Sequence, residues 1–107
     1  MRDFTCISVL QAYQQLTEHQ ACLVDIRDEQ SFLAAHPTGA FHLTAERLSL
    51  LTETTPVTTP ILVLCYHGHS SQNVAQYLFS QGFQQVYSID GGFAAWHQVL
   101  PQHTTTA

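Results

Sequence analysis

The sequence predicts an α/β fold, with a small parallel β-sheet flanked by helices on both faces. Short apolar runs alternate along the chain with segments of helical period. The run Ile61-Leu62-Val63-Leu64 is apolar throughout, as expected of a strand covered on both sides. No repeat or low-complexity tract points to another architecture. At 107 residues the chain is near the common size of one domain, so a single domain over 1–107 is expected, with its core from about residue 5 to 100.

Thr5 to Ser8 is a short β-like run, and Ser8 can cap a helix from Val9 to about His19 with Leu10, Tyr13 and Leu16 on one face. Ala21 to Ile26 reads as a buried strand. Asp28 can cap a short helical turn through Phe32 to Ala35, which His36-Pro37-Thr38-Gly39 ends because Pro opposes helix and Gly permits a turn. Ala40 to Leu43 is a second brief strand. Thr44 can cap a short helix through Leu51, with Glu46, Arg47 and Glu53 facing water, and Thr54 to Pro60 is a turn-rich connector.

Ile61 to Leu64 then delivers Cys65 to the end of a strand. A helix starts at Ser70 or Ser71 and runs to about Gln81 on Val74, Ala75, Leu78 and Phe79, with Gly82 suited to the left-handed position after it. Val86 to Ile89 is the last strand. Asp90-Gly91-Gly92 turns into a helix from Phe93 to about Leu100, stopped by Pro101, and the end of the chain, residues 101–107, is expected to be a flexible tail that frays from His103 to Ala107.

Composition narrows the function. A formal charge of −5, from three Lys and Arg against eight Asp and Glu, supplies no basic stripe for nucleic acid. No apolar run reaches the roughly 20 residues of a membrane helix, and the first five residues lack the apolar stretch of a signal peptide, so a cytoplasmic protein is expected. Cys6, Cys22 and Cys65 are an odd set in a chain able to build a core, which argues for reduced thiols. Cys6 and Cys22 lie inside apolar segments as small hydrophobes. Only Cys65 is placed for chemistry.

The loop Cys65-Tyr66-His67-Gly68-His69-Ser70-Ser71 joins an apolar strand to a helix N-terminus, where parallel sheets collect ligands. A short loop there can aim backbone N–H groups inward, and the helix dipole adds partial positive charge. That setting lowers a thiol pKa and can hold an anion such as a persulfide. Gly68 permits dihedrals that a side chain would oppose. Ser70 and Ser71 can cap the following helix or donate hydroxyl hydrogen bonds to a bound anion. His67 and His69 read as partly exposed polar residues whose protonated form would help an anionic donor, and Tyr66 as a pocket wall or packing residue.

Three stretches together resemble the rhodanese family. Leu23-Val24-Asp25-Ile26-Arg27-Asp28, with Phe32, His36 and Gly39-Ala40-Phe41-His42-Leu43, is similar to its first signature; Val63 to Ser71 resembles its active-site loop; and Val86 to Trp96 resembles its C-terminal signature. The resemblance implies a rhodanese-like fold and a single-domain thiosulfate sulfurtransferase without cofactor or metal. Cys65 would take the outer sulfur of thiosulfate, release sulfite, and pass the persulfide sulfur to cyanide or to a dithiol such as thioredoxin, with residues 66 to 71 as the binding loop. Many relatives carry Arg, Lys or Thr where Ser70 stands. No Lys or Arg lies between Cys65 and Ser71, so weak thiosulfate binding that improves as pH falls is expected.

Asp25, Arg27 and Asp90 of the signatures read first as ion-pairing and capping residues. Gly91-Gly92 is a turn, because the spaced glycines of a phosphate fingerprint are missing. Trp96, Phe93 and Phe41 read as core. A cysteine phosphatase or arsenate reductase would need an arginine clamp that neither Ser70 nor Ser71 supplies. A catalytically silent binding module would not require Cys65. Metal binding by Cys65, His67 and His69 lacks the second ligand pair of a structural zinc site.

Overall fold

A computed structural model describes residues 3–106. Its elements are β1 (Thr5–Ile7), α1 (Val9–His19), β2 (Cys22–Asp25), α2 (Glu29–Ala34), β3 (Ala35–Pro37), β4 (Phe41–His42), α3 (Leu48–Thr54), β5 (Ile61–Leu64), α4 (Ser70–Ser80), β6 (Val86–Ile89), α5 (Gly92–Val99) and β7 (Thr104–Thr106). Five strands form a parallel sheet in the order β1-β6-β5-β2-β4. From β2 the chain moves outward to β4, and from β5 it moves to β6 on the other side. The switch point therefore lies at the carboxyl ends of β2 and β5, where open α/β sheets bind ligands.

Side chains of β5 alternate between two cores. Ile61 and Val63 join Leu51 of α3 and Ala75 and Leu78 of α4 on one face. Leu62 and Leu64 join Ala12 of α1 and Trp96 of α5 on the other. All four β5 residues are fully buried, as a strand covered on both faces requires.

Most local signals act as expected. Ser8 caps α1 in a reciprocal capping box with Gln11, Asp28 accepts from Ser31 N–H, and Gly82 takes a left-handed φ of 106° after α4. Others differ. In α1, Val9 and Ala12 are buried and Tyr13 and Leu16 pack partly buried against the same core, whereas Leu10 is exposed, because the inner face runs through Val9 rather than Leu10. Thr44 makes no side-chain cap; a 3-10 turn at Ala45–Arg47 precedes α3 instead.

The end of the chain corrects the expectation of a flexible tail. Pro101–His103 form a 3-10 turn, and Thr104–Thr106 pair antiparallel with Ala35–Pro37 as a separate two-stranded ribbon. His103 O accepts from Thr38 N–H at 2.8 Å and from Trp96 Nε1 at 3.2 Å, and the His103 ring lies 4.6 Å from that of Tyr13. Ala107 lies outside the described residues.

Candidate active site

β5 ends at Leu64 and α4 begins at Ser70, so residues 65–69 must turn from strand to helix within one loop. Gly68 makes the turn with φ 93°. A Cβ there would lie 2.9 Å from Gly91 N and 3.2 Å from Ile89 O, closer than packing allows. Its N–H donates to Cys65 Sγ at 3.1 Å. From the first turn of α4, Ser71 brings its hydroxyl to 3.2 Å from the same sulfur, and Ser71 Oγ lies 2.7 Å from Ser88 Oγ on β6. Ser88 sits opposite Val63 in the β5–β6 register, which sets it beside the strand end that carries Cys65.

Burial pushes the Cys65 thiol up, but the Ser71 hydroxyl and the backbone N–H groups of Ser71, Gly68 and His67 outweigh it and hold the thiol below its ordinary value. Cys65 is 3 % exposed, so these hydrogen bonds act largely out of water, where each is stronger. Cys22 shows the contrasting case: burial alone raises its thiol.

The loop is clamped from behind by the Gly91-Gly92 turn. Phe93 N–H donates to Cys65 O at 2.7 Å and Ala94 N–H to Tyr66 O at 3.2 Å, so the first turn of α5 grips the loop carbonyls. A Cβ on Gly92, at φ 57°, would overlap Cys65 O and the Tyr66 carbonyl. The turn read in the sequence is thus a close approach between two backbones; only the paired glycines signalled it.

The remaining loop residues are distributed around this centre. Gly68 and Ser71 are buried with the sulfur, whereas Tyr66, His67, His69 and Ser70 are exposed around it. Tyr66 is therefore not a packing residue; its hydroxyl pairs with Ser31 Oγ at 3.1 Å. Neither serine caps α4: its N-cap is His69, without a side-chain hydrogen bond, because Ser71 turns inward to the sulfur. Ser88, reaching Cys65 through Ser71, escaped sequence reading, since a serine in an apolar strand gives no signal of its neighbour.

Asp25 and Arg27 form a buried ion pair, with Arg27 Nη2 2.8 Å from Asp25 Oδ2. Arg27 Nη2 also donates to Ala35 O at 2.6 Å, and its guanidinium stacks 3.9 Å from the Phe93 ring centre. This arginine is engaged in structure rather than presented as an oxyanion clamp. No side chain caps α5, so Asp90 is not the cap its position suggested. Among the described residues, no three His, Cys, Asp or Glu side chains gather to hold a metal ion. An open cleft of about 470 Å³ lies beyond β2 and β4, lined by Ile26, Leu43, Leu48, Val74 and Tyr77 among others; Cys65 does not line it.

The fold has known counterparts. The family model described as the rhodanese-like domain matches residues 8–99. The chain belongs to the rhodanese family. A protein named thiosulfate sulfurtransferase GlpE, from Tolumonas auensis, is 54 % identical over 105 residues, covering 98 % of this chain and 99 % of its own length. Among solved structures, the rhodanese-like domain of an Anabaena protein superimposes with a TM-score of 0.82 at 22 % identity, covering all of this chain and 81 % of that one. A rhodanese-like protein of Staphylococcus aureus gives 0.74 at 19 % identity, over 87 % of this chain and 91 % of its own. At those identities the solved structures speak for the rhodanese fold, which the parallel sheet with helices on both faces matches.

Proposed function

We propose that the protein is a thiosulfate sulfurtransferase that carries sulfur on Cys65 as a persulfide. The observation that supports it most is a sulfur at the end of β5 that accepts the Gly68 N–H and is hydrogen-bonded to the Ser71 hydroxyl, with its thiol lowered. A thiolate so placed is both nucleophile and seat for an anion. The relative named as a thiosulfate sulfurtransferase, similar over almost the whole chain, supports the same reading.

The Cys65 thiolate attacks the outer sulfur of thiosulfate. As the new S–S bond forms, the old one breaks and sulfite leaves with its electron pair. The persulfide's terminal sulfur carries the negative charge, which the loop N–H groups and the α4 N-terminus stabilise. An acceptor then attacks that terminal sulfur: cyanide leaves as thiocyanate, or a dithiol such as that of thioredoxin takes the sulfur, and the Cys65 thiolate returns. Tyr66, His67, His69 and Ser70 surround the approach, and Gly68 and Ser71 bind the charge. A reactive thiolate needs reducing surroundings, which makes the cytoplasm the proposed compartment. No helix among the described residues is long and apolar enough to cross a membrane.

The test is thiocyanate release from thiosulfate and cyanide by the wild type and by Cys65→Ser. Turnover in the wild type that disappears in the variant is expected; equal turnover in both would reject Cys65 as carrier.

A further inference from the structure

We propose that Ser88 is a positioning residue for the sulfur chemistry, acting through Ser71 in a two-hydroxyl chain whose direction follows the charge on Cys65. The proposal rests on the reading of Cys65 as sulfur carrier. Ser88 is 1 % exposed in the middle of the sheet, and its Oγ lies 2.7 Å from Ser71 Oγ. Ser71 is fully buried and touches Cys65 Sγ at 3.2 Å. A hydroxyl has one proton to give, so three such groups in a row must agree on a direction.

With Cys65 as a thiol, its S–H donates to Ser71 Oγ and the Ser71 hydroxyl donates onward to Ser88. When the thiol proton leaves to solvent, both hydroxyls rotate about their C–O bonds and no O–H bond breaks. Ser88 then donates to Ser71, and Ser71 donates to the sulfur anion. A chain that ends on a charge polarises cooperatively, so the Ser88 contact is worth more in the anionic state than in the neutral one. The same direction serves the thiolate and the persulfide.

Charged or titratable groups on the elements that surround this hydroxyl chain are Tyr66, His67 and His69 of the loop, Arg27 after β2, Asp90 in the turn before α5, and Cys6 of β1, which is paired with Ser88 in the β1–β6 register. Substitution at Ser88 changes none of them. The experiment follows iodoacetamide alkylation of Cys65 against pH in the full chain, read on the Cys65 peptide so that Cys6 and Cys22 are counted apart. Ser88→Ala is expected to move the midpoint upward by roughly 0.5 to 1 pH unit, about three- to ten-fold less thiolate at neutral pH. In a Ser71→Ala background the same change is expected to have no effect, because the link to sulfur is already cut. Ser88→Thr against Ser88→Val repeats the comparison at equal volume, with the lower midpoint expected for Thr. An unchanged midpoint in Ser88→Ala, or an equal shift with and without Ser71, overturns the proposal. Alkylation needs no sulfur donor, so a failure of thiosulfate loading would count against the sulfurtransferase reading and leave this result intact.

Discussion

Gly92 is the residue on which the loop's shape most depends. Its N-terminal turn of α5 touches the Cys65 and Tyr66 carbonyls, and any side chain at its positive φ would strike them. Gly92→Ala is expected to cost at least about 2 kcal/mol in denaturant unfolding and to reduce sulfur transfer as the loop is pushed off its seat. Gly39, with open space around its Cβ position, offers a control for glycine replacement without contact. The lowered Cys65 thiol also has a kinetic consequence. Its thiolate fraction rises with pH through a midpoint below that of an ordinary thiol, so the rate of sulfur uptake climbs and levels off early; a rate still climbing beyond the ordinary thiol range would contradict the hydrogen-bonded seat. At this scale the sequence displayed Cys65, Gly68 and Ser71, because they lie within one loop. It hid Ser88 and the task of Gly92, since both meet the loop only across strands.

Among elements, the β3–β7 ribbon shows how a short pairing can hold a chain end. Thr104–Thr106 bring β-branched residues to Ala35–Pro37, and Pro37, which lacks an N–H, is tolerated in so narrow a ribbon. His103 ties the ribbon to Trp96 and Tyr13. Removal of residues 104–107 is expected to abolish hydrogen-exchange protection in the ribbon and to destabilise the fold by about 1–2 kcal/mol, with the amides of β5 still protected. Full protection of residues 35–38 after truncation would show that the ribbon does not depend on β7. The strand was not legible beforehand because Pro37 and a run of threonines read locally as turn and tail. Their partnership is separated by most of the chain, and no local period encodes it. By contrast, β5, α4 and β6 were legible within about a residue, since burial on both faces and a clear helical period leave a strong local pattern.

For the whole molecule, one sheet divides two cores and presents its switch point to the sulfur. Trp96 is 1 % exposed and anchors the core beneath α5, the helix that grips the loop. Trp96→Ala is expected to lose about 3–5 kcal/mol of stability by urea unfolding, with sulfur transfer falling as α5 loosens. The Asp25–Arg27 pair has a similar reach: buried, and bonded to the Ala35 carbonyl, it fixes the connection beside the loop. Asp25 and Arg27 were read as an ion pair from their signature, yet the stacking of Arg27 on Phe93 links two sequence-distant signatures in a way that only the fold displays. All these supports converge on one task, holding a single sulfur among inward donors. Mass spectrometry of the Cys65 peptide after incubation with thiosulfate tests that task directly. One added sulfur, found on Cys65 and lost on addition of cyanide, is expected; no added sulfur, or sulfur found instead on Cys6 or Cys22, would contradict it.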